Sequence, residues 1–207
     1  MRVARLMLRP LARTIDWTPL AVSALLTVPL ALFAGAGADP GPALYYAVVL
    51  LRLSAILIGA AAGFVLVDPL AAGTGPVPVP RWLRQGVRAL LGVAAGTLIW
   101  ACVFTVVRSR LPGVPLPLAG LAAEAGVCLA LALACTASTL RRYPDRPAAL
   151  VGAVVLSGVL AATLFLRGDA SPWIMPGEPG WEEVHRVWLA VSPLPVIWLA
   201  VANRDLR

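Results

Sequence analysis

Long apolar stretches, separated by short polar or proline- and glycine-rich segments, dominate the pattern of residues along the chain. A helix needs about 20 apolar residues to cross the roughly 30 Å hydrocarbon layer of a bilayer. The stretches show no strand-like alternation, and inside lipid only helices and closed barrels satisfy their backbone hydrogen bonds. The pattern therefore predicts six transmembrane helices, at Thr18–Ala38, Leu44–Val67, Ala89–Val107, Leu118–Ser138, Ala148–Leu166 and Val184–Ala202.

The composition fits a chain whose surface meets lipid. Of its 207 residues, 60% are hydrophobic and only 13% are charged, whereas a soluble domain carries about 25% charged residues. That difference leaves no room for a separate soluble domain. The sequence therefore predicts an all-α integral membrane protein, with one transmembrane domain over residues 18–202 and a short cytoplasmic tail over residues 203–207.

The first 17 residues predict an amphipathic helix that lies on the membrane surface. Its arginines fall on one side of a helical wheel, and apolar residues occupy the rest of the circumference. These arginines are Arg2, Arg5, Arg9 and Arg13. Such a helix binds the anionic cytoplasmic leaflet. The alternative is a signal peptide cleaved at the small residues 34–38, but the long apolar core and Pro29 favour an uncleaved first span.

The distribution of arginines predicts the orientation, because basic residues concentrate on the cytoplasmic side of membrane proteins. With the N-terminus inside, the inner segments carry twelve arginines and the outer segments carry four. The inner loop between the second and third spans then covers residues 68–88, and the last outer loop covers residues 167–186. The sequence therefore predicts a multi-pass protein of the cell membrane with both termini in the cytoplasm.

The net charge of +7 does not indicate nucleic-acid binding, because the arginines lie at the ends of apolar runs and not on a polar domain. All 17 basic residues are arginine. Without lysine, the chain can form neither a Walker A phosphate loop nor a lysine Schiff base. Cys102, Cys128 and Cys135 lie in apolar runs without a C-x-x-C motif, so neither disulfides nor a zinc site are predicted.

Two charged residues lie inside predicted spans. Arg52 lies about 12 Å below the outer end of the second span, and Glu124 lies about 9 Å below the outer end of the fourth, at 1.5 Å per residue. A charge at such a depth is costly unless it is paired. The matching depths predict an ion pair between Arg52 and Glu124 that faces the bundle interior. The alternative is that Arg52 extends outward to water and Glu124 lies at the interface.

Three segments carry a resemblance to a known family: Leu51–Ala55, Phe64–Pro69, and the stretch from Thr74 through Pro76–Arg81. They place an arginine in the second span, then an Asp-Pro, then a proline-rich basic inner loop. Together with six spans and a basic N-terminal helix, this layout resembles the permease subunit of a type 2 ATP-binding-cassette exporter of the actinobacterial kind. The resemblance implies a cytoplasmic ATPase dimer, which would hold ATP and magnesium, and a second permease chain. The chain itself would need no cofactor.

The resemblance also implies a coupling helix in the inner loop, at about Pro80–Arg88, that contacts the ATPase. Arg81, Arg84 and Arg88 would be its charged contacts, since their spacing places them on one helical face, and Trp82 would be an anchor. The alternative is that these arginines only fix the topology and bind lipid phosphate. Pro76, Pro78 and Pro80 favour an extended chain, so any such helix is short and starts late. The outer loop is also shorter than in larger family members, which argues against a large polymer substrate.

Candidate catalytic and metal-ligating residues are scarce. His185, the only histidine, lies beside Glu182 and Glu183 and could bind a metal with them, but its place in the outer loop favours an exposed, solvated side chain. No histidine lies in mid-membrane to serve a serine nucleophile, since His185 is on the outer side, and no pair of aspartates lies within spans, so no enzyme is predicted. Aromatic residues near the predicted interfaces indicate membrane anchors: Trp17, Tyr45, Tyr46, Tyr143, Trp173 and Trp181.

These observations predict a permease subunit that forms part of the path for a hydrophobic or amphipathic substrate. The alternatives are a secondary transporter and a membrane subunit of a complex without a transport function. A secondary transporter would need an intramembrane acid as its coupling site. Glu124 alone fits that role, and the sequence shows no internal repeat.

Overall fold

A computed structural model describes residues 10–34, 40–68, 80–143, 147–166 and 171–204. Within these ranges the chain is helical and contains no strand, which confirms the all-α prediction. Residues 10–14 are helical, and a 3₁₀ turn at Phe64–Leu66 extends the helix that ends at Gly63. The helices are α1 (Thr18–Ala31), α2 (Pro40–Gly63), α3 (Arg81–Arg110), α4 (Leu118–Thr139), α5 (Pro147–Thr163), α6 (Trp181–Val191) and α7 (Pro193–Ala202).

Four helical stretches among the described residues are long and apolar enough to cross a membrane. They are Gly41–Leu66, Arg81–Arg110, Leu118–Thr139 and Trp181–Ala202. The last combines α6 and α7, which are joined through Ser192 in helical backbone conformation. The helices α1 and α5 are apolar but shorter, with 14 and 17 residues. The structure therefore supports a membrane protein, and it gives spanning length to four of the six predicted spans.

Large apolar side chains point outward from several helices. Leu25 of α1, Leu98 of α3 and Val154 of α5 are 72%, 67% and 70% exposed. Exposed apolar surface of this kind is unfavourable in water but needs no cover in lipid. The outer surface of the bundle thus agrees with a membrane location.

The helix α4 lies at the centre of the bundle and packs against α2, α5 and α7. Glycines allow the close approach. A Cβ on Gly59 of α2 would lie 3.2 Å from the carbonyl oxygen of Cys128 in α4. One turn further along α2, Thr136 of α4 fills the space beside Gly63 of α2 and Gly152 of α5, so that neither glycine has room for a Cβ. Backbone approach through small residues is typical of helices packed in membranes.

The two ends of the bundle differ in what they bury. At one end, α2 finishes, α3 begins and α4 finishes, with Arg88 and Arg141 among the side chains. We call this the arginine end. At the opposite end, residues 171–180 connect α5 to α6 through turns, and we call this the loop end.

Candidate functional site

Three ionisable side chains from three helices meet near the loop end. Arg52 of α2 donates from Nε to Oε2 of Glu124 and from Nη2 to Oε1, both at 2.8 Å, which is a bidentate arrangement. His185 of α6 places Nε2 3.0 Å from Oε1 of the same carboxylate. We call Arg52, Glu124 and His185 the loop-end cluster. The structure thus brings Arg52 and Glu124 together, as their matching depths predicted, and it adds His185.

The loop-end cluster is buried. Arg52, Glu124 and His185 have relative exposures of 9%, 2% and 5%. The guanidinium of Arg52 turns inward to the carboxylate, so the alternative in which it extends outward to water is wrong. In such surroundings an unpaired charge would cost several kcal/mol, on the order of 3–5 kcal/mol when one partner of a buried pair is removed. The pair is therefore needed for these residues to lie where they do.

The chain between α5 and α6 closes over Arg52. The carbonyl oxygens of Trp173 and Ile174 accept hydrogen bonds from Nη1 and Nη2, at 3.1 and 2.8 Å. The indole ring of Trp173 also lies 5.3 Å from the guanidinium carbon, within the range of a cation–π interaction. With the two bonds to Glu124, every nitrogen of the guanidinium has an acceptor.

This capping segment is itself held by neighbouring helices. The indole nitrogen of Trp173 donates to the hydroxyl of Thr163 at the end of α5, at 2.7 Å. The indole nitrogen of Trp188 in α6 donates to the carbonyl of Pro172, at 3.1 Å. The two indole rings lie 5.6 Å apart. The carbonyls that bind Arg52 therefore come from a fixed piece of chain.

The hydrogen bonds of His185 indicate where its protons lie. Nδ1 is 2.8 Å from the carbonyl oxygen of Trp181, which can only accept, so Nδ1 carries a hydrogen. Nε2 then faces Oε1 of Glu124. A hydrogen bond between these two atoms requires one further proton, held either on His185 as imidazolium or on Glu124 as carboxylic acid. The geometry of the loop-end cluster is thus satisfied when the two residues share one proton.

Gly120 lets α6 come this close to α4. A Cβ at this position would lie 2.6 Å from Cδ2 of His185 and 2.8 Å from Cζ2 of Trp181. The rings of Trp181 and His185 pack together with 3.7 Å between their centroids. Since Gly120 lies one turn before Glu124 on α4, the space that it leaves admits the imidazole beside the carboxylate.

The expectation of an exposed His185 is wrong. The helix α6 begins at Trp181, inside the predicted outer loop, so His185 is a helical residue that faces α4. Its neighbours Glu182 and Glu183 are exposed and point elsewhere, and no three His, Cys, Asp or Glu side chains come together in the part of the chain that the structure describes. Trp181 is buried too, and is not the interface anchor that was expected. The i, i+4 spacing of Trp181 and His185 was the signal that both share one buried face.

The residues expected to contact an ATPase lie at the arginine end, and one of them is not on the surface. Arg88 is 1% exposed. Its guanidinium donates to the carbonyl oxygens of Val67 and Val65, at 2.7 and 3.3 Å. It also donates to Oδ1 of Asp68 at 3.1 Å and to the hydroxyl of Thr14 at 2.8 Å. These contacts correct the expectation, because Arg88 is not available to a partner.

The other three expected contacts differ from Arg88. Arg84 is half-buried and lies 3.9 Å from Asp68, while Arg81 is half-buried as well. Trp82 is 54% exposed. Residues 81–88 form the first turns of α3 and continue into the spanning helix, so this segment is not a separate coupling helix. Of the four, Trp82 presents the largest accessible surface.

Of the four N-terminal arginines, one lies among the residues that the structure describes. Arg2, Arg5 and Arg9 lie outside the described residues. Arg13 is exposed, while Leu11 and Ile15 on either side of it are buried. Residues 10–15 thus pack an apolar face on the bundle and present Arg13 outward. The surface helix over residues 1–17 stays a prediction.

Comparisons with protein-family models, with curated proteins and with solved structures give no match for this chain. What the protein does is therefore inferred from its own residues and their contacts.

Proposed function

We propose that this chain is the transmembrane permease subunit of an ATP-driven exporter of the type 2 ATP-binding-cassette class. In this proposal six helices cross the cell membrane, with α1 and α5 among them, and both termini are cytoplasmic. A cytoplasmic ATPase dimer and a second permease chain complete the transporter, whose substrate is hydrophobic or amphipathic. The observation that carries the proposal is the junction around Arg88, which joins the accessible end of α3 to the rest of the bundle.

The Arg88 junction connects three segments of the chain. Its hydrogen bonds hold the end of α2 through Val65 and Val67, and the N-terminal segment through Thr14. A partner that pushes on Trp82, in the first turn of α3, therefore moves the end of α2 as well. From Val65 to Arg52, α2 and its 3₁₀ extension cover about 20 Å at 1.5 Å per residue. Motion at the arginine end would thus reach the loop-end cluster through one continuous element.

Such a motion would act on the contacts of Arg52 in the loop-end cluster. The carbonyls of Trp173 and Ile174 are held by Arg52, so a shift of α2 would loosen the segment that closes this end. An exporter must open its outer side only while substrate is released. Coupled release of Arg52 and of its capping segment supplies that step in this proposal.

Copurification with and without Trp82 tests the proposal. Tagged wild-type protein from its native host should bring down a nucleotide-binding ATPase, and Trp82→Ala should lower the recovered ATPase several-fold. Tyr46→Ala is the matched control, because Tyr46 is also an exposed aromatic, 62% exposed, near the other end of α2. Absence of an ATPase from the wild-type sample, or equal recovery with Trp82→Ala and wild type, would contradict the proposal.

Labelling tests the proposed orientation. In a variant without native cysteines, Glu178→Cys at the loop end should react with an impermeant thiol reagent added to intact cells. Arg13→Cys at the arginine end should react only after the membrane is permeabilised. Both residues are exposed, so access in the structure does not limit either reaction. The reverse pattern would invert the orientation.

A second function is favoured by one observation, the 3.0 Å contact between Nε2 of His185 and Oε1 of Glu124 inside the bundle. Buried acids and histidines that exchange protons are the coupling sites of secondary transporters. Purified protein in vesicles, without an ATPase, should then show a proton-driven flux across the vesicle membrane under a pH gradient. Glu124→Gln should abolish that flux. A flux that requires ATP and a copurifying ATPase would support the exporter instead.

A further inference from the structure

A cleft opens at the arginine end between α5 and α7. Both helices pack on α4, but they make few contacts with each other. The space between them, at the C-terminal end of α4, has a volume of about 660 Å³. Ligand sites in proteins fall in the range of about 300–1,000 Å³. We call this space the α5–α7 cleft. Its floor is basic and its walls are apolar.

The floor of the cleft carries two adjacent arginines. Arg141 is fixed, because Nε donates to the carbonyl of Ala202 at 2.7 Å and Nη2 donates to the carbonyls of Val201 and Arg204, at 2.7 and 3.0 Å. It thereby caps the C-terminal end of α7. Arg142 is exposed, and its guanidinium makes no hydrogen bond or ion pair with the residues that the structure describes. The cleft thus has one immobilised positive charge and one that is open to a ligand.

The hydroxyls at the floor do not compete for the role of donor. Ser138 and Thr139 donate to carbonyl oxygens of their own helix, those of Ala134 and Cys135, both at 2.9 Å. Their hydrogens are therefore in use. An anion in the α5–α7 cleft would receive its hydrogen bonds from the arginines and from the exposed phenol of Tyr143.

The walls of the cleft are apolar and face outward from the bundle. Val151 of α5, and Trp198 and Val201 of α7, are 44%, 43% and 44% exposed. A free phosphate ion would gain nothing from such walls, whereas acyl chains would lie against them. Trp198 and Tyr143 also place amphipathic rings beside the arginines, as aromatic residues do at the headgroup level of a bilayer.

We propose that the α5–α7 cleft binds the phosphate headgroup of an anionic phospholipid. The phosphodiester contacts Arg142 and Arg141, the glycerol region lies beside Trp198 and Tyr143, and the acyl chains follow Val151 and Val201. Basic pockets between membrane helices bind anionic headgroups for this reason. A lipid held here bridges α5 and α7, which the protein itself leaves apart.

The test measures lipid binding to the whole purified protein, with dioleoyl phosphatidylglycerol against dioleoyl phosphatidylcholine in nanodiscs or by native mass spectrometry. Phosphatidylglycerol should bind saturably and raise the melting temperature more than phosphatidylcholine does. Arg142→Gln should weaken its binding about fivefold, the loss expected for one arginine near an anionic surface. Val201→Trp, which fills the cleft and leaves every charge in place, should weaken binding as well. Arg142→Lys should retain most of it.

Arg110→Gln is the matched control, because Arg110 is an exposed arginine at the end of α3, away from the cleft. An equal loss with Arg110→Gln would show attraction to the overall charge and overturn the cleft as a site. Equal binding of the two lipids would also overturn it. Displacement of phosphatidylglycerol by millimolar inorganic phosphate would mean that the ligand is a free anion. A dimer that Val201→Trp dissociates would mean that a second copy occupies the cleft, and both of these results contradict the proposal.

Discussion

Among the residues that the structure describes, each end of the bundle buries one arginine, and the two are stabilised in different ways. Arg52 lies within α2, where the backbone carbonyls of its own helix are already hydrogen-bonded, so its charge is met by the carboxylate of Glu124 from another helix. Arg88 lies beside the end of α2, where carbonyl oxygens have no partner in the helix. Two such carbonyls, from Val65 and Val67, bind it together with Asp68.

The difference shows what a buried arginine needs at each depth. Every guanidinium nitrogen of Arg52 has an acceptor, whereas Nε of Arg88 finds none among the described residues. Near a helix end, freed carbonyls and water can replace a lost contact. Inside a span nothing replaces it, so the loop-end cluster should be the more sensitive of the two.

The largest effect is expected from Glu124→Ala. It leaves Arg52 and His185 without their shared acceptor, and arginine does not lose its proton in a protein. The loss of stability should be on the order of 3–5 kcal/mol. A double-mutant cycle with Arg52→Ala, followed by unfolding of the purified protein, should show about 1–3 kcal/mol of non-additivity. Additive losses would mean that the pair contributes nothing as a pair.

A smaller loss is expected from Arg88→Ala. Its hydrogen bonds join a charged donor to four acceptors, but those acceptors lie at the end of the bundle and can be hydrated once the arginine is gone. The cost should be about 2–3 kcal/mol, within the range for hydrogen bonds to a charged group. Arg84→Ala, which removes a half-buried arginine 3.9 Å from the same Asp68, should cost less. If Arg88→Ala destabilises the protein more than Glu124→Ala, the contrast between the two ends is wrong.

The smallest of these effects is expected from Gly120→Ala. The added Cβ would collide with His185 and Trp181, and overpacking costs about 1–3 kcal/mol. Alanine recovers part of that through its better helix propensity, so the net loss should be about 1–2 kcal/mol. Gly126→Ala on the same helix is the control, because nothing lies within 4 Å of its Cβ, and it should not destabilise. Equal stability of the two variants would mean that Gly120 does not determine how closely α6 packs on α4.

Much of the bundle could be predicted from the sequence, because partition between water and lipid depends on local composition. The apolar runs that became α2, α3 and α4 end at arginines, prolines or polar residues. The predicted span for α4 matches that helix closely, whereas α2 begins four residues and α3 eight residues before the predicted spans. The first span did not reach its predicted length, since α1 ends at Ala31 and the expected helix continued through the glycines that follow. The start of α6 was missed because Gly180, with φ of +91°, follows a loop rich in proline and glycine whose conformation has no simple period.

The sequence by itself also determined which side chains share a helical face, but not which neighbouring helices that face contacts. The spacing of Arg84 and Arg88 did place both on one side of α3, and the packing of the bundle turns that side toward Asp68. Arg52 and Glu124 are 72 residues apart, and Glu124 and His185 are 61 apart. Their meeting depends on the rotation and register of packed helices, which close contacts such as that of Gly120 with His185 decide. A run of apolar residues fixes that a helix lies in lipid, but only its neighbours fix which of its polar groups find each other.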